Sequence, residues 1–181
     1  MKKASLISIL CLVLAIAGPA TAKTSLFSLG TGGTGAIYYP YGGGVAEIWS
    51  KYVKDVKAVA EVTGASVENV KLAHKGETVV GEVMGDVAQA GFTGTGKFKG
   101  KKHEIYSMAI MYPNLLQVVT LKKSGITDIE QVKGRNISSG SPGSGTNFMA
   151  EAVFKALGIP LDSYKDSRLS FTESANALRD G

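Results

Sequence analysis

The chain contains very few of the residues that bind metals or form disulfides. Its 181 residues include one cysteine, Cys11, and two histidines, His74 and His103. A single cysteine cannot form an internal disulfide, and one cysteine with two histidines falls short of the four ligands of a structural zinc site. The sequence therefore excludes a disulfide-stabilised scaffold and a zinc finger, and it predicts neither a metal nor a cofactor.

The excess of positive over negative charge is small. The chain has 20 Lys and Arg and 15 Asp and Glu, which give a net charge of +5. The one basic cluster is a lysine run at 97–102, and Phe98 is the only aromatic residue within it. Proteins that bind nucleic acids present a basic face interleaved with aromatic side chains. We therefore exclude nucleic acid as a partner and expect the lysine run to be a solvated loop.

Long hydrophobic runs are missing too, because no apolar stretch reaches the ~20 residues of a membrane-spanning helix. The longest one, 4–17, follows two lysines and precedes the small residues Ala-Thr-Ala at 20–22. Charged, apolar and small residues in that order are typical of a secretory signal peptide. We predict a signal peptide over residues 1–22 that is cleaved before Lys23, and hence an exported protein.

Glycine is the residue in excess, with 23 in the chain, nearly twice the average frequency of roughly 7%. Most of these glycines fall in three segments, 30–44, 91–100 and 134–145. Two of the three segments follow a predicted strand and precede a predicted helix. Predicted strands that alternate with helices indicate an α/β fold with a mainly parallel sheet and helices on both faces.

Hydrophobic periodicity, caps and turn residues set the predicted elements. Strands are predicted at 24–29, 56–62, 78–84, 105–111, 115–121, 135–139 and 168–171. Helices are predicted from Pro40 to Val53, from an N-cap at Ser66 to His74, and at 87–90, 128–133, 148–157 and 173–178.

The glycine segments at 30–38 and 140–147 have a geometry that suits ligands. In open α/β sheets, ligands bind at the carboxyl ends of strands, where such junctions lie. The first amides of a helix are unpaired and carry a partial positive charge, which favours anions. The sequence therefore predicts two anion-binding turns.

Known nucleotide-binding motifs fit these segments poorly. Gly30-x-Gly32-x-x-Gly35 matches the dinucleotide pattern formally, but Tyr-Tyr-Pro at 38–40 interrupts the position where its helix would continue. The segment 91–98 resembles a phosphate-binding loop but has Phe98 where a hydroxyl must hold magnesium.

Catalytic groups are equally hard to find. Ser144 lies between glycines, but the G-x-S-x-G pattern of a hydrolase is not met, and both histidines fit ordinary surface positions better. We therefore predict a binding protein and not an enzyme. The alternatives left open are an exported α/β enzyme and a surface antigen without a solute.

Four stretches together resemble one family. They read TGGTGAIYYPYGGGVAEIW, TGASVENVKLAHKGE, GDVAQA and, from Met111 to Gly158, a segment beginning MYPNLLQVV. The same motifs in the same order are found in the TAXI family, the extracytoplasmic solute-binding proteins of TRAP transporters. The resemblance runs from Ser25 to Gly181. It implies a periplasmic protein that binds a small anionic or zwitterionic solute, such as glutamate or glutamine, and delivers it to the permease subunits in the membrane.

The resemblance also implies an architecture. It is a two-lobed fold of the periplasmic binding protein type II kind, with lobe 1 at 23–114, a crossover strand at 115–121 and an incomplete lobe 2 at 122–181. Because members of the family run to roughly 300 residues, we expect the chain to be the N-terminal part of a longer protein.

The family's ligand-binding positions map onto this sequence in four groups. The residues that match are Gly32, Gly33, Thr34, Gly35, Tyr38, Thr63, Ser66, Asp86, Gly143, Ser144, Gly145 and Thr146. The sequence departs from the family at Ala65, where glycine is common, and at 83–85, before Asp86. No arginine lies in these groups, so we expect backbone amides and hydroxyls, and not a guanidinium group, to hold a carboxylate.

Overall fold

The computed structural model describes residues 24–181. The predicted signal peptide, with Cys11, lies outside the described residues. Within 24–181, no helix combines the length and the hydropathy needed to cross a bilayer.

The described chain is a mixed α/β structure in two units. The strands are β1 (Ser25–Gly30), β2 (Val56–Glu61), β3 (Val80–Gly81), β4 (Asn136–Ile137) and β5 (Lys165–Asp166). The α-helices are α1 (Tyr38–Tyr52), α2 (Ser66–Lys75), α3 (Gly85–Thr93), α4 (Gly145–Ala156) and α5 (Phe171–Asp180). Short 3₁₀ helices lie at Gly96–Phe98, Lys122–Ser124 and Ile129–Val132.

Both sheets are parallel, as predicted. The first unit has strand order β2-β1-β3, with Ser25 opposite Val56 and Gly30 opposite Glu61. The second unit is the pair β4-β5, followed by α5. Parallel strands joined by helices confirm the predicted α/β class.

Alternation along β1 places helices on both faces of the first sheet. A Cβ on Gly42 of α1 would lie 2.8 Å from Leu29, whereas a Cβ on Gly30 would lie 2.7 Å from Asn69 of α2. Because successive residues of a strand point to opposite faces, α1 and α2 cover opposite sides of β1. The glycines at these positions let the helix and the strand approach closely.

Each unit has a separate hydrophobic core. The first core is formed by Val67, Val70, Met84, Val87, Ala90 and Phe98. The second is formed by Val132, Phe154 and Ile159. Between the units, Lys97 and Glu151 form an ion pair of 2.5 Å.

The strands predicted at 105–111 and 115–121 are wrong, because residues 101–121 form neither helix nor strand. Apolar and β-branched residues form a strand only where a neighbour completes the hydrogen-bonded ladder. From 105 to 120, no backbone group bonds to another backbone group of the described chain. Most of the apolar side chains stay in solvent, with Ile110 95% exposed and Leu115 77% exposed, whereas Ile105 packs against the first core.

Three further expectations are corrected at element ends. Ser66 is the first residue of α2 and not its N-cap, which is Ala65. The strand predicted at 168–171 does not form. The strand of this region is β5, which ends at Asp166, and α5 begins at Phe171 after Ser170, whose hydroxyl accepts a hydrogen bond from the Glu173 amide. The strands predicted at 78–84 and 135–139 are each only two residues long.

Candidate functional site

The two glycine turns predicted to bind anions line the same cleft, which has a volume of about 420 Å³. It lies where the first unit meets the second. Ten of the residues named from the sequence line it: Gly32, Gly33, Thr34, Gly35, Tyr38, Thr63, Ser66, Ser144, Gly145 and Thr146. Gly143 and Asp86 do not.

The N-termini of four helices converge on this cleft. The first residues of α1, α2, α4 and α5, which are Tyr38, Ser66, Gly145 and Phe171, all line it. At each helix start the first amides have no partner within the helix, and the positive end of the helix dipole lies there. None of the lining residues is charged. The carboxylates of Glu68 and Glu173 lie just behind the lining, where they accept hydrogen bonds from Gly64 and Ser170.

The start of α4 offers two open donors. Ser144 caps the helix: its hydroxyl accepts from the Asn147 amide at 3.1 Å, and its carbonyl accepts from the Phe148 amide at 3.2 Å. The amides of Gly145 and Thr146 precede these and donate no hydrogen bond within the described chain. The turn before them is tight, with Gly140 at φ 105°.

The start of α1 also lies at the cleft. Tyr38 and Tyr39 occupy the first two positions of this helix and Pro40 the third. Proline lacks an amide hydrogen and is tolerated in the first turn of a helix, where the amides have no intrahelical partner. The Tyr38 ring is buried and packs edge-on against Tyr112, with 6.3 Å between ring centroids. Burial raises the pKa of the Tyr38 hydroxyl, an effect that the Ser66 and Asn114 side chains oppose.

At the start of α2, amides of the first turn donate hydrogen bonds to the second unit. The Gly143 carbonyl accepts from the amides of Val67 at 2.9 Å and Glu68 at 3.4 Å. Gly143, at φ 81°, therefore joins the two units behind the cleft. Of the predicted residues in this region, Thr63 also has a structural partner, since its hydroxyl accepts from the Ala65 amide at 3.0 Å.

Asp86 lies at the start of α3, is exposed, and does not line the cleft. Its Oδ1 accepts a hydrogen bond from the Val87 amide at 2.8 Å. The carboxylate therefore bonds to an amide in the first turn of its own helix, whose N-cap is Met84. Its role in binding a ligand stays a prediction.

The start of α5 is a part of the cleft that the sequence analysis missed. A Cβ on Gly35 would overlap the hydroxyl of Thr172, so this helix directly faces the first glycine turn. The signal was present, because Ser170 and Glu173 form a capping box, a sequence pattern that marks a helix start. Asn114 and Ser141 also line the cleft, and neither was singled out.

No group of three or more His, Cys, Asp or Glu residues that could hold a metal occurs within residues 24–181. The chemistry that the cleft supports is the binding of a small polar molecule by amides and hydroxyls.

Comparison with protein families agrees with this geometry. The model described as the NMT1-like family matches residues 29–181, which include both units and all four helix starts. The chain therefore belongs to the NMT1-like family, a periplasmic-binding-like family related to solute-binding proteins.

Proposed function

We propose that this member of the NMT1-like family is the solute-binding component of a TAXI-type TRAP transporter. It binds a small carboxylate or amino acid, such as glutamate or glutamine, outside the cytoplasm and delivers it to the membrane permease. The family relation supports a solute-binding role. The transporter class and the solute rest on the sequence resemblance and on the cleft.

One observation carries the proposal: four helix starts surround a cleft that no charged side chain lines. A volume of about 420 Å³ falls within the ~300–1,000 Å³ of small-molecule sites. Open amides at helix starts bind carboxylates without a cationic side chain. An anionic or zwitterionic solute fits this donor set better than a cation does.

We assign the carboxylate of the solute to the amides of Gly145 and Thr146. Hydrogen bonds to a charged group contribute about 1.5–3 kcal/mol each. Thr34 and Thr146 line the cleft and can supply hydroxyl groups, and the Tyr38 ring supplies an apolar surface. The same amides would bind glutamate and glutamine, so the side chain of the solute must be selected elsewhere in the cleft.

We further propose that the first unit belongs to lobe 1, residues 23–114, and that 115–121 cross to lobe 2 at 122–181. Closure of the lobes on a solute would bring the second glycine turn against α2. The hydrogen bond from the Val67 amide to the Gly143 carbonyl has the geometry of such a closed contact.

Calorimetry with L-glutamate and L-glutamine tests the proposal. Gly145→Ala should abolish binding, because a Cβ there would overlap Met84 and would lie 2.8 Å from the Ser66 hydroxyl. Thr146→Val keeps the amide and removes the hydroxyl, and we expect it to weaken binding about twofold to thirteenfold, because one neutral hydrogen bond contributes about 0.5–1.5 kcal/mol. Thr127→Val, on an exposed residue of the second unit, is the matched control.

Two results would contradict the proposal. One is that no amino acid or organic acid releases heat on binding or raises the unfolding temperature of the wild-type chain. The other is conversion of glutamate or glutamine into a product, which would favour an exported enzyme.

A further inference from the structure

Glu82 is a buried carboxyl group that the proposed function does not use. Glu82 is 4% exposed, and neither oxygen of its carboxyl group has a hydrogen-bond partner in the described chain. Such buried polar atoms without partners are rare in folded proteins and call for an explanation.

The backbone fixes Glu82 beside the cleft. Its amide donates to the Gly30 carbonyl at 2.9 Å, and its carbonyl accepts from Asn69 Nδ2 at 2.8 Å. The same Asn69 nitrogen lies 2.7 Å from the carbonyl of Thr31, the residue before the first glycine turn. Met84, two residues further on, lines the cleft.

The side chain lies under α1. A Cβ on Gly42 would be 2.9 Å from Glu82 Oε1. The titratable groups that are electrostatically coupled around Glu82 are the phenols of Tyr38 and Tyr41 on α1 and of Tyr112 in the 101–121 segment. The Tyr112 hydroxyl is itself buried without a partner.

The charged residues nearby do not neutralise Glu82. Asp86, at the start of α3, adds a second negative influence on Tyr38. Glu82 forms no ion pair with any Lys, Arg or His of residues 24–181. A buried charge without a partner is strongly disfavoured, so the carboxyl group takes up a proton instead. Burial raises the pKa of Glu82 to about 7.

We propose that Glu82 is a specificity-determining residue of the cleft, and that the cleft binds an anionic solute more tightly when the carboxyl group of Glu82 is neutral. This inference rests on the proposed function. Tyr38 lines the cleft, and the charge of Glu82 contributes to raising the pKa of its hydroxyl. A negative charge behind Tyr38 would oppose the carboxylate of the solute through a poorly screened interior, with an effect of about tenfold on affinity.

The consequence is a dependence on both pH and solute charge. Between pH 5.5 and 8.5 the net charges of L-glutamate and L-glutamine stay close to −1 and 0, because these pH values lie above the pKa values of their carboxyl groups and below those of their ammonium groups. Loss of the proton from Glu82 should therefore weaken glutamate binding about tenfold and glutamine binding clearly less.

The experiment is calorimetry of the whole chain with both solutes at pH 5.5 and 8.5. In Glu82→Gln, which is neutral at both pH values, glutamate affinity should stay within a factor of two of the wild-type value at pH 5.5. Glu47→Gln removes an exposed carboxylate from α1 and should keep the wild-type pH dependence. The ¹³C carboxyl resonance of Glu82, assigned in the wild-type protein through its own backbone, gives the titration of Glu82 directly and does not require the variant to fold.

Three outcomes would overturn the inference. The first is glutamate binding of equal strength at both pH values, which leaves the proposed function intact. The second is a Glu82 resonance that titrates below pH 5. The third is an absence of binding by both solutes at both pH values, which removes the proposed function as well.

Discussion

Glu82 makes the stability of the fold depend on pH, independently of any solute. Its pKa rises from 4.5 in the unfolded chain to about 7 in the folded protein. The folded state therefore binds more protons than the unfolded state between these values, and the free energy of unfolding falls as pH rises through them. Below pH 4.5 the penalty is absent, and above pH 7 it is complete.

The size of the penalty follows from the shift. A difference of one pKa unit corresponds to 1.36 kcal/mol, so a rise from 4.5 to about 7 costs about 3 kcal/mol at pH 8. This is a large part of the roughly 5–15 kcal/mol that stabilises a typical domain. Glu82→Gln carries no charge at either pH and should not lose this amount.

The assay is urea unfolding followed by circular dichroism at pH 4.5 and pH 8. For each protein we compare the free energy of unfolding at the two pH values and take the loss from pH 4.5 to pH 8. The loss in Glu82→Gln is then subtracted from the loss in the wild type, which cancels the contributions of the other titrating groups. We expect a difference of about 3 kcal/mol. Glu47→Gln should give a difference near zero, and an equally small value for Glu82→Gln would refute the reasoning.

Two further predictions concern backbone positions in the first unit. Gly42→Ala should lower the free energy of unfolding by about 1–3 kcal/mol, because the new Cβ would lie 2.5 Å from a methyl group beneath α1. Gly43→Ala, next to it and facing open space, should raise that free energy by up to about 1 kcal/mol, and equal effects at the two positions would contradict the packing argument. Ala65→Gly should stabilise the fold by about 1 kcal/mol, because Ala65 adopts φ 70°, and a loss of stability in urea unfolding would show that this conformation carries no strain.

Local signals in the sequence were enough to locate the two glycine turns of the cleft. A strand, a glycine turn and a helix start follow one another at 30–38 and 140–147, and the structure keeps that order in both units. Local geometry decides these features, since glycine permits the tight turn and Ser144 caps the helix that follows. The tertiary structure brings both turns to a single cleft. In the sequence, only the family resemblance indicated this arrangement.

The rest depended on neighbours that local patterns do not reveal. The residues from 105 to 120 have the composition of strands, but they gain no ladder because no partner strand pairs with them in the described chain. The sequence around Glu82 also does not indicate that its side chain is buried. A glutamate next to a glycine suggests a strand end in solvent, and only the close approach of α1 at Gly42 covers it.

The absence of charged side chains from the cleft gives Glu82 its importance. Amides at helix starts do not titrate, and the hydroxyl groups of serine and threonine stay neutral across the physiological range. The positive potential that attracts an anion is therefore constant with pH. Asp86 is exposed, where solvent screens its charge, whereas the charge of Glu82 would be buried among aromatic rings. Any pH dependence of anion affinity in the neutral range should consequently follow the ionisation of this one buried carboxyl group.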